Sequence, residues 1–422
     1  MKKLMFVLVI ASLMLSACGN KPASGGPVEI TYMMWGSPEE LAVWQTIVDD
    51  FHAQNPDITV KVDVSDWDGY WEKLKVLYAS NTPPDVFAMD APLYPDWQSR
   101  GVLLNLQPYI DANPGFLDGI YPAALQNYKR DDGYYGMPRD FQTIVMFYNK
   151  DMFDAAGVAY PATGWTYDDF RGAAKKLTLD TNNDGSMDQW GFDTDLWDME
   201  LFWSSAIWSH GGEIVSVDRT KTLLGEPKAR EAWQMIDDMI HKDKSMPDPD
   251  TAAQFGYDLF AAGKVAMWPI GHWAVPDYAK LGFKWDVAPM PVGPAGQATS
   301  ANSAGFVVSK DSKNSDAAWK FIQFALGTKG QTGLTELGFA IPVLKSVAES
   351  PVFLEQKSVQ INQQVFLDSI AFAHVKPAFK GYDQWASTFG DGLLPVWNGQ
   401  AELNATLDAL VPQGDEILAQ NK

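Results

Sequence analysis

The sequence predicts an α/β protein built as two lobes, and three observations carry that expectation. Strand and helix patterns alternate through the N-terminal third, arguing for a parallel or mixed sheet with helices packed on it. From Trp165 onward helical periodicity dominates, with extended pieces between the helices. The body from Val28 to Lys422 is also too long for one hydrophobic core.

The first element, "VEITYMMW", places Val28, Ile30, Tyr32 and Met34 on one face at a period of two. "SPEELAVWQTIVDDF" then opens a helix. Ser37 can cap it, Pro38 suits its first turn, and Glu39 and Glu40 face the positive end of its dipole. Leu41, Trp44, Val48 and Phe51 form its apolar stripe. "DITVKVDV" alternates as a second strand, Trp71, Leu74, Leu77 and Tyr78 share a helix face, and "DVFAMD" is the third strand. Later, "WTYDDFRGAAKKL" has Thr166 and Asp169 at capping-box spacing. Ala232, Ile236, Met239 and Ile240 form one helical stripe, and Ala318, Phe321, Ile322, Ala325 and Leu326 another. "KWDVAPMPVGPAGQ" and "SAGFVVSK" read as extended, and no repeat of fixed period appears.

The N-terminus sets the compartment. Lys2 and Lys3 precede an apolar run from Leu4 to Leu15, a secretory signal peptide over residues 1–17 and too short for a membrane span. Leu15-Ser16-Ala17-Cys18 resembles a bacterial lipobox, in which Cys18 is lipidated and becomes the mature N-terminus. Cys18 is the only cysteine, so no disulfide framework is expected. Residues 18–27 then form the lipidated cysteine and a flexible tether rich in small residues, Gly and Pro. The chain is expected as an exported lipoprotein, periplasmic or on the cell surface, touching the membrane through its lipid alone.

Charge and motifs exclude several classes of function. With 32 basic against 53 acidic residues, nucleic acid is a poor partner, because phosphate binding needs a basic footprint. The five histidines (His52, His210, His241, His272, His374) show no transition-metal spacing. No Gly-x-Ser-x-Gly, phosphate loop or dinucleotide fingerprint occurs. Carboxylates abound, so a two-acid glycosidase has its raw material, but nothing singles out a pair.

"LTLDTNNDGSMDQWGF" invites a calcium reading. Asp180, Asn182, Asp184, Ser186 (through its carbonyl) and Asp188 occupy loop positions of an EF-hand, with Gly185 at the reversal. The position that should hold a bidentate Glu is Gly191, and "QWGFDT" looks extended. The expectation is therefore a single structural calcium site or, equally, an Asx-rich turn that holds itself by hydrogen bonds. No cofactor is required.

Several separated segments share one resemblance. "DDGYYGMPRDFQTIVMFYNKDMFDAAGVAYPATGWTYDDFRGAAKKLT", "LFAAGKVAMWPIGHWAV", "WDVAPMPVGPAG", "SAGFVVSKDSKNSDAAWKFIQFALGTKGQ" and "GFAIPV" follow in order. Together with the lipobox they resemble the solute-binding lipoproteins of sugar ABC transporters, family 1, the maltose-binding-like group. The resemblance implies a type II periplasmic-binding-protein-like fold, with two α/β lobes and a ligand cleft between them. By that likeness the chain crosses between lobes near Asp140–Thr143, Ala288–Pro291 and Gly338–Val343. Lobe one is then 28–140 plus 291–340, and lobe two 141–290 plus 341–422. The implied function is to capture a mono- or oligosaccharide and deliver it to an ABC permease, as a monomer and without catalysis. A polyamine, a glycerophosphodiester or a short peptide could occupy the same fold.

Sugar recognition needs aromatic planes for C–H faces and planar polar groups for hydroxyls. Of the 17 tryptophans most should be core. Trp35 and Asp90 end strands, where ligands of open α/β sheets sit, although Asp90 could equally cap a turn. Arg139 and Asp140 fall beside the first implied crossing, as a ligand contact or a mutual ion pair. Trp273 matches the family's sugar-stacking position, and Trp203 and Trp385 align with its aromatic platforms. Glu200, Trp268 and His272 lie near these in sequence. Asn302 and Ser303 precede the strand "GFVVS", to meet ligand or to form a turn.

Overall fold

The computed structural model describes residues 27–130, 132–357 and 359–421. The signal peptide, Cys18 and all but the last residue of the tether lie outside the described residues.

Lobe one is built on a five-stranded sheet. Its order is Ile58–Ser65, Val28–Trp35, Val86–Asp90, Ala304–Val308 and Met137–Pro138. The first three strands run parallel, and Ala304–Val308 lies antiparallel to both its neighbours. Tyr32 packs against Trp44, Phe306 and Phe321 on one face of the sheet. On the other face Trp35 meets Tyr70 and Trp71. With helices on both sides, the expected alternation in the first strand gives way to burial of Met33 as well as Tyr32 and Met34.

The helix Pro38–Gln54 starts as its sequence dictates. Glu40 N donates to Ser37 Oγ at 3.2 Å and Ser37 N to Glu40 Oε2 at 2.7 Å, a closed capping box. Val43, Trp44, Ile47, Val48 and Phe51 are its buried stripe, while Leu41 is only half-buried. The helix Tyr167–Leu177 repeats the device with Thr166 and Asp169.

Lobe two carries an antiparallel sheet in the order Trp285–Ala288, Val145–Asn149, Met267–Ile270. Helices Trp203–Ser209, Pro227–His241, Tyr382–Trp397 and Leu403–Gln420 pack on one another as a separate helical layer. Among the described residues no helix is long and apolar enough to cross a membrane.

Short strands knit the junction. Gln142–Thr143 pairs antiparallel with Thr299–Asn302, which runs parallel to Ala373–Val375, and Phe141 bridges Ile341. The sequence placed the return to lobe one at residue 291. Near there Trp165 Nε1 donates to Pro289 O at 2.7 Å, Val292 N to Trp165 O at 2.8 Å and Ala295 N to Ser209 O at 2.9 Å. The chain rejoins the five-stranded sheet at Ala304.

Candidate ligand cleft

The carboxyl ends of the lobe-one strands supply one wall of the seam between the lobes. Trp35, half-buried, ends the first strand. Trp67, next to the end of the second strand and 39% exposed, meets it edge-on at 5.0 Å. Trp71 lies 5.7 Å from Trp35, so three indoles share this corner. Behind them Arg139 is 4% exposed and wedged between Trp35, Trp44 and Phe339, about 5–6 Å from each ring. Its Nε donates to Asp140 Oδ2 at 2.8 Å and its Nη1 to the Tyr32 hydroxyl at 3.1 Å. Arg139 and Asp140 are therefore a buried ion pair that braces the wall and the first crossing. They are neither a surface pair nor an exposed contact, because every face of the guanidinium is covered by protein.

The centre of the seam is a polar cluster drawn from both lobes and the junction. Asn302 Nδ2 donates to Asp90 Oδ1 at 2.7 Å and to Glu200 Oε2 at 3.1 Å. Lys376 Nζ donates to the same Glu200 oxygen at 2.8 Å and stands 3.9 Å from Asp198. Asp90 ends a lobe-one strand, Glu200 precedes the lobe-two helix Trp203–Ser209, and Asn302 and Lys376 belong to the junction. Burial pushes the Asp90 carboxyl above its usual range, with Lys376 and Asn302 opposing. Glu200 is raised by burial in the same way and pulled back by Lys376. Burial works against the Lys376 ammonium, but Glu200, Tyr382, Asp198 and Asp90 hold it well above the usual lysine range. Glu200 Oε1 has no hydrogen-bond partner among the described residues. A hydroxyl can donate to such an oxygen without bringing a charge.

Trp273 stands on the lobe-two side, half-buried just beyond the strand Met267–Ile270. A Cβ at Gly271 would lie 1.9 Å from its ring, so glycine is what lets the indole fold back over the backbone. The short helix that follows faces the start of helix Pro38–Gln54, where Lys280 Nζ meets Glu39 Oε1 at 2.6 Å. Lys75 and Asp383 approach to 4.0 Å, a second ion pair across the seam.

Two predicted tryptophans sit elsewhere. Trp203 is buried 4.8 Å from Trp233 in the helical core. Trp385 is fully buried, its Nε1 donating to Thr222 Oγ1 at 2.9 Å and its ring packed on Phe389. Both are core, because their helices turn the rings inward. His272 is buried and bonds Gln363 at 2.9 Å, and Ser303 Oγ donates to the Asp140 carbonyl. Sequence reasoning missed Trp67, Asp198 and Lys376. The strand-end rule that selected Trp35 applies equally to Trp67, two residues past Ser65, but nothing local marks Lys376.

The acidic loop closes on itself. Asp184 N and Gly185 N donate to the Asp180 carboxylate at 3.2 and 2.8 Å, and Ser186 N donates to Asp184 at 2.8 Å. Asn182 Oδ1 accepts from Asp184 N at 2.8 Å, and Asp188 accepts from Thr181 Oγ1 at 2.6 Å. Among the described residues no group of three or more His, Cys, Asp or Glu side chains is placed to hold a metal ion. As arranged, the loop oxygens accept hydrogen bonds from the loop's own donors.

Comparison with known proteins gives one answer throughout. The model of bacterial extracellular solute-binding proteins matches residues 35–332. The structure of an ABC substrate-binding protein from Listeria monocytogenes in complex with cycloalternan superposes with a TM-score of 0.85. It is 28% identical and covers 93% of this chain and 99% of that one. The galactooligosaccharide-binding protein of Bacillus subtilis is 24% identical over 96% of this chain and 94% of its own length. A lipoprotein of Streptomyces antibioticus is 23% identical over 83% and 78%.

Proposed function

Because this chain belongs to the family of bacterial extracellular solute-binding proteins, we propose that it captures a mono- or oligosaccharide between its lobes and delivers it to the permease of an ABC importer. The observation that carries this is the Asp90–Asn302–Glu200–Lys376 cluster, where groups from both lobes meet within hydrogen-bonding distance. Trp35 and Trp67 stand on one side of the seam and Trp273 on the other. Aromatic faces flanking a carboxylate–amide–ammonium set is the chemistry a pyranose ring demands. The relatives that bind galactooligosaccharide and cycloalternan support the same ligand class.

In the mechanism we propose, sugar enters an open form and stacks on one wall. Closure brings the other wall down, and sugar hydroxyls take over bonds that Asn302 and Lys376 now make to carboxylates. The ligand favours closure only by the contacts it gains in that state. The carboxylates of the cluster orient hydroxyls and perform no chemistry, and no step passes through a metal. Lipidated Cys18 would hold the chain, as a monomer, at the outer face of the cytoplasmic membrane, and the lipoprotein relative supports that placement.

Tryptophan fluorescence tests the proposal. Titrating saccharides should change emission from Trp35, Trp67 and Trp273 saturably, and Trp273→Ala should lose most of the affinity while its circular dichroism stays unchanged. Undiminished affinity in that variant would remove Trp273 from the site.

A further inference from the structure

Lobe two holds a cavity of about 410 Å³ that the cluster does not use. The segment from Asp193 to Trp197 lines it on one side, and Tyr257 and Trp268 line it on others. No lysine or arginine is among the described residues that line it. At its rim Trp197 is 42% and Tyr257 78% exposed, yet both are held in place. Trp197 Nε1 donates to Asp391 Oδ1 at 2.9 Å, and the indole rests on Gly390, where any Cβ would lie 2.5 Å from the ring. The Tyr257 hydroxyl donates to Asp195 Oδ2 at 3.1 Å. Rigid, exposed aromatic faces lose little freedom on meeting a ligand.

Deeper in, two polar groups lack partners among the described residues. Thr194 and Trp268 are buried, and neither the Thr194 hydroxyl nor the Trp268 indole N–H has a hydrogen-bond partner among the described residues. Asp193 is buried too, and burial raises its carboxyl well above the usual range. Three ligand chemistries can be compared against this lining. An apolar ligand would leave the Thr194 hydroxyl and the Trp268 indole N–H unsatisfied. An ammonium would suit Asp193, Asp195 and the Thr194 oxygen but offers no acceptor to the Trp268 indole N–H. Sugar hydroxyls both donate and accept, and the C–H face of a ring packs on indole, so a saccharide ring answers the whole set.

The cavity is also joined to the cluster by one short stretch of chain. Asp193, Asp195 and Trp197 line the cavity, and Asp198 and Glu200 of the same segment meet Lys376. From Asp195 to Glu200 is five residues, at most about 18 Å when fully extended. Resting on the carbohydrate reading above, we infer that this cavity is a further saccharide subsite, that Trp197 is its stacking platform, and that the cargo is an oligosaccharide long enough to span cluster and cavity together.

Calorimetric titration tests this with glucose, galactose, and α-linked gluco- and β-linked galacto-oligosaccharides up to the hexasaccharide. Affinity should rise with chain length in the wild-type protein. Trp197→Ala should remove that rise, costing roughly tenfold for the longer ligands while leaving the shortest that binds unchanged. Thr194→Val, which keeps shape and removes the hydroxyl, should act in the same direction and guards against a misfolded Trp197 variant. Equal affinities for all lengths in the wild-type, or a loss in both variants that ignores length, would overturn the subsite and leave the cleft intact. Spermidine binding that Trp197→Ala abolishes would reassign the cavity to cations. Failure of every saccharide to bind the wild-type would overturn the carbohydrate reading itself, and the subsite with it.

Discussion

Lys376 Nζ lies 2.8 Å from Glu200 Oε2, and both side chains are buried. A buried pair of this kind stabilises little relative to well-packed apolar groups, but removing one member strands the other. Under the proposed function the Lys376–Glu200 pair would serve as a preorganised recognition device, with Asn302 bridging Glu200 to Asp90.

Lys376→Met should lower unfolding stability by roughly 3 kcal/mol, because Glu200 is left without its cation. The double variant Lys376→Met/Glu200→Gln should recover most of that loss and still bind no sugar. Urea unfolding beside calorimetry separates the two effects. A double variant as unstable as the single one would contradict the pairing.

Gly271→Ala should weaken sugar binding without unfolding lobe two, because the new Cβ must displace the Trp273 ring that lies 1.9 Å from its position. Fluorescence titration should show lower affinity for every saccharide, with helix content unchanged. Unaltered affinity would mean that the ring does not face ligand.

His272 makes stability depend on pH. Burial lowers its pKa from 6.5 to about 4, with the bond to Gln363 opposing. A depressed folded-state pKa means that the unfolded chain binds more protons between those values. Its contribution is fully present above about pH 6.5 and is lost as pH falls toward 4. The full term is on the order of 3 kcal/mol. His272→Gln should flatten the stability profile over that window, measured as urea midpoints at a series of pH values. An unchanged slope would place the titration elsewhere.

Removing calcium should leave the melting temperature unchanged, since the oxygens of Asp180, Asn182, Asp184 and Asp188 already accept hydrogen bonds from the loop. Thermal denaturation in EDTA and in millimolar calcium checks this. A rise with calcium alone would mean that the loop reorganises around an ion.

Local physics made much of the fold legible. Ser37 with Glu40, and Thr166 with Asp169, form capping boxes as their spacing requires. Trp35 and Asp90 end their strands as the sequence places them, and that placement needs only the strand boundaries. Trp203 and Trp385 misled because a tryptophan on a helix looks the same whether the helix turns it to the cleft or to the core, and packing with Trp233 and Phe389 decides that. Lys376 was invisible because its partner Glu200 lies 176 residues away in the chain. Its meaning arises only where the junction strand Ala373–Val375 lays it against lobe two.

The central claim is that sugars bind in the seam around Asp90, Asn302, Glu200 and Lys376. A thermal-shift screen of the protein and of Asn302→Ala against mono- and oligosaccharides tests it most directly. At about 100 times its dissociation constant a ligand adds roughly 2.7 kcal/mol, enough to move the melting temperature visibly. The account predicts a shift confined to one class of saccharide and abolished in Asn302→Ala. No shift with any saccharide, but one with polyamines, peptides or glycerophosphodiesters, would contradict it.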